Sequence, residues 1–436
     1  MSEMTTAPAA ASETRLTGKQ RKAIVAGSIG NTVEWVDWAV YGTLAPVFAS
    51  QFFAKGDPAA ALLSTLAVFA VGFVMRPVGG ALLGVYADRH GRKKGLTLTI
   101  GLMAGAALVI AVCPTYEAIG IAAPLILLLA RLVQGFSAGG EFGSSSSFLV
   151  ESAAPRRRAF AGSWQQVSVG AGALIASLMG FVLTSTLSEA DMQSWGWRIA
   201  FGIGGLLGLV GLWLRVSVEE TDSFRKADDD GRTRRRNPLV GMLVEHPRAA
   251  LRVVGITIAG TLIYYVWISY MPGYAHAATG IPLRDALLAN TIAIAYFLCL
   301  LPFVALLSDR FGRKPALVVL AMLSAALPIT LFSLMAGASA NNALLGAVLL
   351  ALVAGGVSAV GAIATGEQFT EESRASGLGL GYTLATAIFG GLTPWVAQLL
   401  LDRTGWPEMP GLMIAVVAIA VLPVFVLMRE TAPRRA

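Results

Sequence analysis

Two carboxylates lie inside an apolar stretch near the start of the chain. In GNTVEWVDWAVYG, residues 30–42, Glu34 and Asp37 are three positions apart, and most residues from Ala23 to Phe53 are apolar, aromatic or small. The three-residue spacing places both carboxylates on one face of a helix. Burial disfavours the charged form of a carboxyl group and a nearby cation favours it, so alternating surroundings can drive proton uptake and release. The other interpretation is a structural acid that is permanently paired with an arginine.

Three further charged residues interrupt apolar runs, where an ionisable side chain costs at least ~2.5 kcal/mol and therefore has a function or a partner. Arg131, in LLLARLVQG, is interpreted either as a clamp for a substrate carboxylate or as a permanent partner of Glu34 or Asp37. For Arg76, in MRPVGG, structural pairing and anion binding stay equally open. Glu141, in SAGGEFGSSSS, has small neighbours that leave room for water.

Uncharged polar and aromatic side chains in the apolar runs are candidates for lining a substrate cavity. Each of them alone could instead form an interhelical hydrogen bond. The candidates are Tyr41, Gln165, Gln166, Tyr264, Tyr265, Asn290 and Tyr382.

The composition is that of a membrane protein. Of the 436 residues, 55% are hydrophobic and 14% are charged, whereas soluble domains contain roughly 25% charged residues. Twelve apolar runs reach or approach the ~20 residues that a helix needs to cross the hydrocarbon core. We therefore predict an all-α integral membrane protein with twelve transmembrane helices. The predicted spans are 23–50, 60–86, 95–113, 121–150, 158–186, 196–215, 249–275, 284–307, 315–336, 343–366, 375–401 and 410–428.

The distribution of basic residues predicts the orientation. Of 33 Lys and Arg residues, 27 fall on the same side as the N-terminus, four fall on the other side and two lie inside spans. Because loops rich in Lys and Arg face the cytoplasm, both termini are predicted to be cytoplasmic. This arrangement accounts for the net charge of +7 without nucleic acid, which we do not expect as a partner.

The longest polar loop separates six spans from six, so we predict two six-helix bundles. The first residues contain no apolar core of the kind found in a signal peptide and are predicted to be disordered. The predicted units are a cytoplasmic tail at 1–22, an N-terminal bundle at 23–216, a cytoplasmic linker at 217–248, a C-terminal bundle at 249–429 and a cytoplasmic tail at 430–436.

A charged motif recurs at equivalent places in the two halves. GVYADRHGRKK follows the second span and ALLSDRFGRKP follows the eighth, 221 residues later (309 − 88), which indicates an internal repeat. Taken alone, the motif could merely determine topology. In this context it resembles the loop signature of the major facilitator superfamily, whose two bundles rock about a midplane site. The resemblance implies a conformational latch, with a weaker second copy because Ala305 and Pro315 depart from the first. The latch residues are Gly84, Asp88, Arg89 and Arg92, then Asp309, Arg310 and Arg313.

Other motifs resemble the metabolite:proton symporters, a branch of that superfamily. GNTVEWVDWAVYG is similar to their GN-x-x-EW-x-D-x-x-x-YG, and FVMRPVGG, LLLARLVQGFSAGGEFG, SYMPGY and MRETA extend the resemblance over about residues 25–432. Sugar porters are disfavoured because VSVEETDSF stands where they carry a Pro-Glu-Ser-Pro-Arg type signature. By resemblance to proton-coupled members, Glu34 is the principal proton site, assisted by Asp37 and Glu141.

The expected function is proton-coupled uptake of a small organic acid, similar to α-ketoglutarate, by alternating access. Two alternatives stay open: a proton-coupled proline or betaine transporter, which SYMPGY and GGLTP resemble, and a passive uniporter. His90, His246 and His276 have no catalytic or metal-ligand spacing, so we expect no enzyme, metal or cofactor. The expected partners are the substrate, a proton and the lipid bilayer. We expect a monomer that crosses the bacterial inner (plasma) membrane many times.

Overall fold

Long helices joined by short connections make up the chain. The computed structural model describes residues 18–54, 56–139, 158–216, 247–337, 339–368 and 382–432, and no β-strand occurs within them. The predicted loop at 217–248 falls almost entirely outside these segments, so the predicted division into units stays a prediction.

The long helices are labelled α1 to α12 in chain order. In the first half they are α1 Gly18–Phe52, α2 Pro58–His90, α3 Arg92–Val112, α4 Ala122–Ala138, α5 Arg158–Thr186 and α6 Trp197–Val216. In the second half they are α7 Pro247–Tyr265, α8 Leu283–Phe311, α9 Arg313–Ala326, α10 Ala340–Gly366, α11 Leu392–Thr404 and α12 Met409–Leu427.

Shorter helical pieces extend several of these helices. A π-helical turn at Val266–Tyr270 and a helix at Met271–Thr279 continue α7, and Pro328–Met335 continues α9 after a bend of 42°. A second π-helical turn, Met192–Gly196, leads into α6. Proline accounts for the break after α9, because Pro328 lacks the backbone N–H that a continuous helix requires.

Most of the helices are suited to cross a bilayer. In the described segments nine are long and apolar enough to do so, or ten if the bent pair formed by α9 and Pro328–Met335 is one span. The predicted all-helical membrane fold is confirmed. The total of twelve stays a prediction, because the described part of α4 has only 17 residues and α1, with Glu34 and Asp37, is not among the nine.

The repeated motif produces the same local structure twice. Gly91 separates α2 from α3 with φ +98°, and Gly312 separates α8 from α9 with φ +109°. A residue with a Cβ rarely adopts such angles. The two glycines are 221 residues apart (312 − 91), so the repeat seen in the sequence is also present in the backbone.

The contacts between the halves follow the same symmetry. α5 of the first half packs against α8 and α10, and α2 packs against α11. Since the repeat relates α2 to α8 and α5 to α11, these contacts form a pseudo-symmetric pair. The C-terminal half of α1 also packs on the continuation of α7, where a Cβ added to Gly42 would lie 2.8 Å from Cβ of Ser269.

Within the first half, α2 and α4 approach each other at backbone distance. A Cβ added at Gly135 would overlap the carbonyl oxygen of Gly72, and one added at Gly139 would overlap that of Arg76. Small residues of this kind allow membrane helices to pack closely. The close approach brings Arg76 of α2 and Arg131 of α4 to the same region beside α1.

Candidate substrate and proton site

A buried ion pair joins α1 to α4. Nη1 of Arg131 donates to Oδ2 of Asp37 at 3.0 Å, and the exposed fractions of the two side chains are 0% and 3%. Cζ of Arg131 also lies 3.8 Å from the centroid of the Tyr41 ring, within cation–π distance. Of the two interpretations of Arg131, the structure therefore supports a partner of Asp37.

The second arginine, Arg76, lies among aromatic rings. Its Cζ is 4.0 Å from the centroid of the Phe73 ring and 4.4 Å from that of Trp38. The side chain is 5% exposed, and its Nε and Nη2 atoms have no hydrogen-bond partner among the described residues. Buried guanidinium nitrogens normally have acceptors, so these two are available to a ligand.

A polar cavity lies between the two halves and is here called the central cavity. Its volume is about 50 Å³, which is room for a few water molecules. Tyr264 and Tyr265 line it, and their buried hydroxyls have no hydrogen-bond partner within the described segments. The first half supplies Trp35, Gln166 and Val169, and the second half supplies Ile256, Thr257, Gly260, Thr261, Tyr264, Tyr265, Val357, Ser358, Gly361, Thr365 and Tyr382.

A smaller space, the arginine cavity, adjoins the central cavity. It has a volume of about 20 Å³ and is lined by Arg76, Glu34 and Asn31 together with Thr383 and Thr386. Trp35 and Tyr382 line both cavities. Arg76 and Glu34 are therefore next to the space where the two halves meet.

A third cavity, here called the N-bundle cavity, lies wholly within the first half. Its volume is about 20 Å³, and residues of α1, α3, α4 and α6 line it. Both Glu34 and Asp37 face it. Glu34 is thus shared between the N-bundle cavity and the arginine cavity.

Three predicted cavity residues are not among those that line these three spaces. The Tyr41 hydroxyl donates to the carbonyl of Thr65 at 2.9 Å. The Asn290 amide donates to Oγ of Ser177 at 3.3 Å and so ties α8 to α5. Gln165 is buried, and its Nε2 has no hydrogen-bond partner in the described part of the chain. Glu141 lies outside the described residues.

The sequence analysis missed several lining residues. Thr257 and Thr261 are four positions apart in α7, and Tyr264 follows three positions later, which is the spacing of one helical face. This run of hydroxyl groups along an otherwise apolar helix was a usable signal. Trp35 directly follows Glu34 and gave no comparable signal, because an aromatic residue in an apolar run is ordinary.

The second copy of the repeated motif connects the two halves. Oδ1 and Oδ2 of Asp309 accept hydrogen bonds from the backbone amides of Ala159 and Phe160, at 3.2 and 3.0 Å. These amides belong to the first turn of α5, where backbone donors have no partner within the helix and a carboxylate is favourable. The copy expected to be weaker therefore bridges the halves.

Buried Arg313 holds Asp309 in place. Its Nη2 lies 2.8 Å from Oδ1 of Asp309, and its guanidinium also pairs at 3.3 Å with Glu367, the residue that directly follows α10. From the C-terminal MRET segment, Glu430 accepts from the backbone amide of Arg313 at 2.8 Å. Arg310 is exposed.

The first copy is described less fully. Arg89 is exposed and Gly84 is half-buried. The side chains of Asp88 and Arg92 are not among those that the structure describes. The role of this copy stays a prediction.

Two helical halves related by an internal repeat, with a polar cavity between them, define a secondary transporter. The comparisons with known proteins agree. Residues 22–235 match the family model described as "Sugar (and other) transporter", and residues 285–436 match the one described as "Major Facilitator Superfamily". The chain belongs to the major facilitator superfamily, and it is a multi-pass membrane transporter rather than an enzyme.

Curated relatives cover most of the chain. The α-ketoglutarate permease of Escherichia coli (strain K12) is 39% identical over 376 residues, 86% of this chain and 86% of the permease. The proline/betaine transporter of the same strain is 34% identical over 426 residues, 96% of this chain and 85% of that protein. The citrate-proton symporter of Klebsiella pneumoniae is 35% identical over 409 residues, 92% of this chain and 90% of the symporter. The resemblance to metabolite:proton symporters is confirmed.

A solved structure shares the fold. The partially occluded inward-open conformation of the xylose transporter XylE from E. coli superposes with a TM-score of 0.75 and covers 95% of this chain and 99% of XylE. The sequence identity is 17%, so this likeness concerns the fold alone.

Proposed function

We propose that the chain is a proton-coupled importer of a small organic acid in the bacterial inner membrane. The observation that carries this proposal is Arg76, a buried guanidinium beside the central cavity with two nitrogens that lack partners among the described residues. A guanidinium fork binds a carboxylate with two parallel hydrogen bonds. The E. coli relative is named as a permease for the dicarboxylate α-ketoglutarate.

In this proposal Arg76 replaces Arg131 as the principal substrate clamp. Arg131 already has a carboxylate partner, Asp37, whereas Arg76 lines the arginine cavity directly. Substrate bound there also reaches the hydroxyl groups of Tyr264, Tyr265 and Tyr382 and the amide of Gln166. These side chains come from both halves, so substrate binding draws the halves together and favours the closed stage of alternating access.

Glu34 is the proposed proton site. It lines the same small cavity as Arg76, so its charge and the charge of the substrate act on one guanidinium. A protonated Glu34 leaves Arg76 to the substrate carboxylate, and an ionised Glu34 competes with that carboxylate. This competition couples the proton to the substrate electrostatically. The name of the citrate-proton symporter supports the choice of ion.

A second candidate substrate is a zwitterion such as proline or betaine. Trp35, Tyr264, Tyr265 and Tyr382 surround the central cavity, and aromatic rings bind quaternary ammonium groups through cation–π attraction. The ammonium group would face these rings and Glu34, while the carboxylate would face Arg76. The relatedness to a proline/betaine transporter also supports this candidate.

Uptake into proteoliposomes tests the proposal. Radiolabelled α-ketoglutarate, citrate, proline and betaine are offered with and without an imposed inward proton gradient. Gradient-dependent accumulation of a carboxylic acid is expected, and accumulation of proline or betaine alone would favour the zwitterion. Equal uptake with and without the gradient would favour a uniporter and contradict proton coupling.

A further inference from the structure

The wall that α7 contributes to the central cavity carries unused hydroxyl groups. Thr257, Thr261 and Tyr264 line the cavity from one face of that helix. Thr257 is 5% exposed and Tyr264 is 6% exposed, and neither hydroxyl has a hydrogen-bond partner among the described residues. A buried hydroxyl without a partner is unfavourable, so these two groups indicate a bound ligand.

Other threonines of the long helices form a hydrogen bond that Thr257 lacks. The hydroxyls of Thr65, Thr291 and Thr365 donate to the carbonyl four residues earlier, at 2.9, 2.8 and 3.0 Å. This bond satisfies a threonine hydroxyl inside an apolar helix. Because the Thr257 hydroxyl does not form it, its proton is available to a molecule in the cavity.

Arg76 marks the end of the space from which a substrate would extend. Its Cζ lies 5.7 Å from the centroid of the Trp35 ring, and that ring lies 5.9 and 6.4 Å from the rings of Tyr264 and Tyr265. The four residues from Tyr265 back to Thr261 span about 6 Å of helix. A chain of about five carbons that binds Arg76 through a carboxylate therefore reaches the hydroxyl groups of α7 with its far end.

The charges on the cavity walls fit one carboxylate. Among the described residues that line the central and arginine cavities, Arg76 is the only basic one and Glu34 is the only acidic one. Glu34 adds either no charge or a negative charge, so these walls hold at most one positive charge. Arg131 lines neither cavity and is paired with Asp37. A second carboxylate on the substrate would be buried without a cation, which is costly.

From these observations we infer that the central cavity is a subsite for the uncharged, oxygen-bearing end of a monocarboxylic acid. The inference rests on the proposed function and narrows its substrate class. The carboxylate binds Arg76, and a hydroxyl, carbonyl or amide oxygen at the far end accepts from Thr257 or Tyr264. A quaternary ammonium group accepts no hydrogen bond and would leave both hydroxyls unpaired. The subsite therefore favours a monocarboxylate over a dicarboxylate and over betaine.

Three five-carbon acids of similar shape test the subsite. Glutarate has a second carboxylate, its monoamide has an uncharged amide in that place, and pentanoate has an apolar end. Binding of each acid to the purified wild type is measured by calorimetric titration at neutral pH, without a proton gradient. The monoamide should bind at least about tenfold more tightly than glutarate, whose second charge is uncompensated. It should bind at least about threefold more tightly than pentanoate, which leaves the hydroxyls unpaired.

Two variants locate the subsite. Thr257→Val and Tyr264→Phe each remove one hydroxyl and keep the shape of the side chain, so each should lower the preference for the monoamide over pentanoate at least about twofold. The matched controls are Thr65→Val and Tyr274→Phe, whose hydroxyls donate to carbonyls away from the three cavities. They should keep the preference of the wild type. Either cavity variant suffices if the other does not fold.

The inference is overturned if glutarate or pentanoate binds as tightly as the monoamide, or if the controls change the preference as much as the cavity variants do. The proposed import of an organic acid stands in these cases. If none of the three acids binds, the inference and the proposed organic acid fall together, and binding of betaine then identifies the zwitterion as the substrate.

Discussion

Arg131 and Asp37 form an ion pair at 3.0 Å in the interior of the first half, with less than one-twentieth of either side chain exposed. The pair fixes α4 to α1 at the level where Arg76 and Glu34 reach the space between the halves. A charge that is buried with its partner is tolerated, whereas one that loses its partner is costly. The ion pair is thus a structural support for the proposed transport site.

We expect Asp37→Asn to destabilise the protein by about 3–5 kcal/mol, because it leaves the charge of Arg131 buried without an anion. Removing both charges in Asp37→Asn/Arg131→Gln should recover most of this loss. Thermal unfolding in detergent measures the effect. A single variant as stable as the wild type would show that Arg131 does not depend on Asp37.

The two arginines should respond differently to conservative replacement. Arg76→Lys should weaken substrate binding at least about tenfold, because a lysine cannot form the bidentate contact with a carboxylate. Arg131→Lys should lower the thermal stability, and it should change substrate affinity less than Arg76→Lys does. Equilibrium binding of labelled substrate to both variants makes the comparison. If Arg131→Lys loses more affinity than Arg76→Lys, then Arg131 is the clamp, which is one of the two interpretations that the sequence left open.

The bridge between the halves should govern the rate of transport more than binding. Asp309→Asn removes the charge that holds the amides of Ala159 and Phe160 and the guanidinium of Arg313. Counterflow should slow while equilibrium substrate affinity stays within a few-fold. Asp285→Asn is the control, since Asp285 forms a surface pair with Arg284 and such pairs contribute little. Equal effects of the two substitutions would refute the latch.

The close approach of α2 and α4 can be tested with one methyl group. Gly135→Ala places a Cβ where the carbonyl of Gly72 lies, and overpacking of this kind typically costs about 1–3 kcal/mol. The yield of monodisperse protein in detergent should fall. Gly202→Ala is the control because nothing lies within 4 Å of its added Cβ. An unchanged yield for Gly135→Ala would mean that α2 and α4 can move apart without destabilising the protein.

Much of the fold was predictable because a helix that crosses a membrane requires a long apolar run, which is easily recognised in the sequence. Each predicted span corresponds to a helix wherever the residues are described, and Gly91 and Gly312 mark the repeat in both sequence and backbone. Helix ends were less predictable, since they depend on local capping. For example, α1 begins at Gly18, within the predicted tail of residues 1–22.

The site was only partly predictable, because pairing is decided by how the helices pack. The sequence identified four unusual charged residues, Arg76, Arg131, Glu34 and Asp37. Their positions in the sequence allow either arginine to pair with either carboxylate. The close contact between α2 and α4 determines which arginine lies beside α1 and which one reaches the space between the halves. Such a contact depends on glycines from two distant segments, and its geometry is absent from either segment alone.

The role of Glu34 is tested most directly by comparing two modes of transport in the same vesicles. Proteoliposomes with Glu34→Gln are assayed for proton-gradient-driven uptake and for counterflow of labelled substrate, with Glu189→Gln, an exposed acid, as control. We predict that gradient-driven accumulation is lost in Glu34→Gln while counterflow persists, because a neutral side chain no longer exchanges a proton. If both modes continue at normal rates, Glu34 is not the coupling residue and the central claim is contradicted.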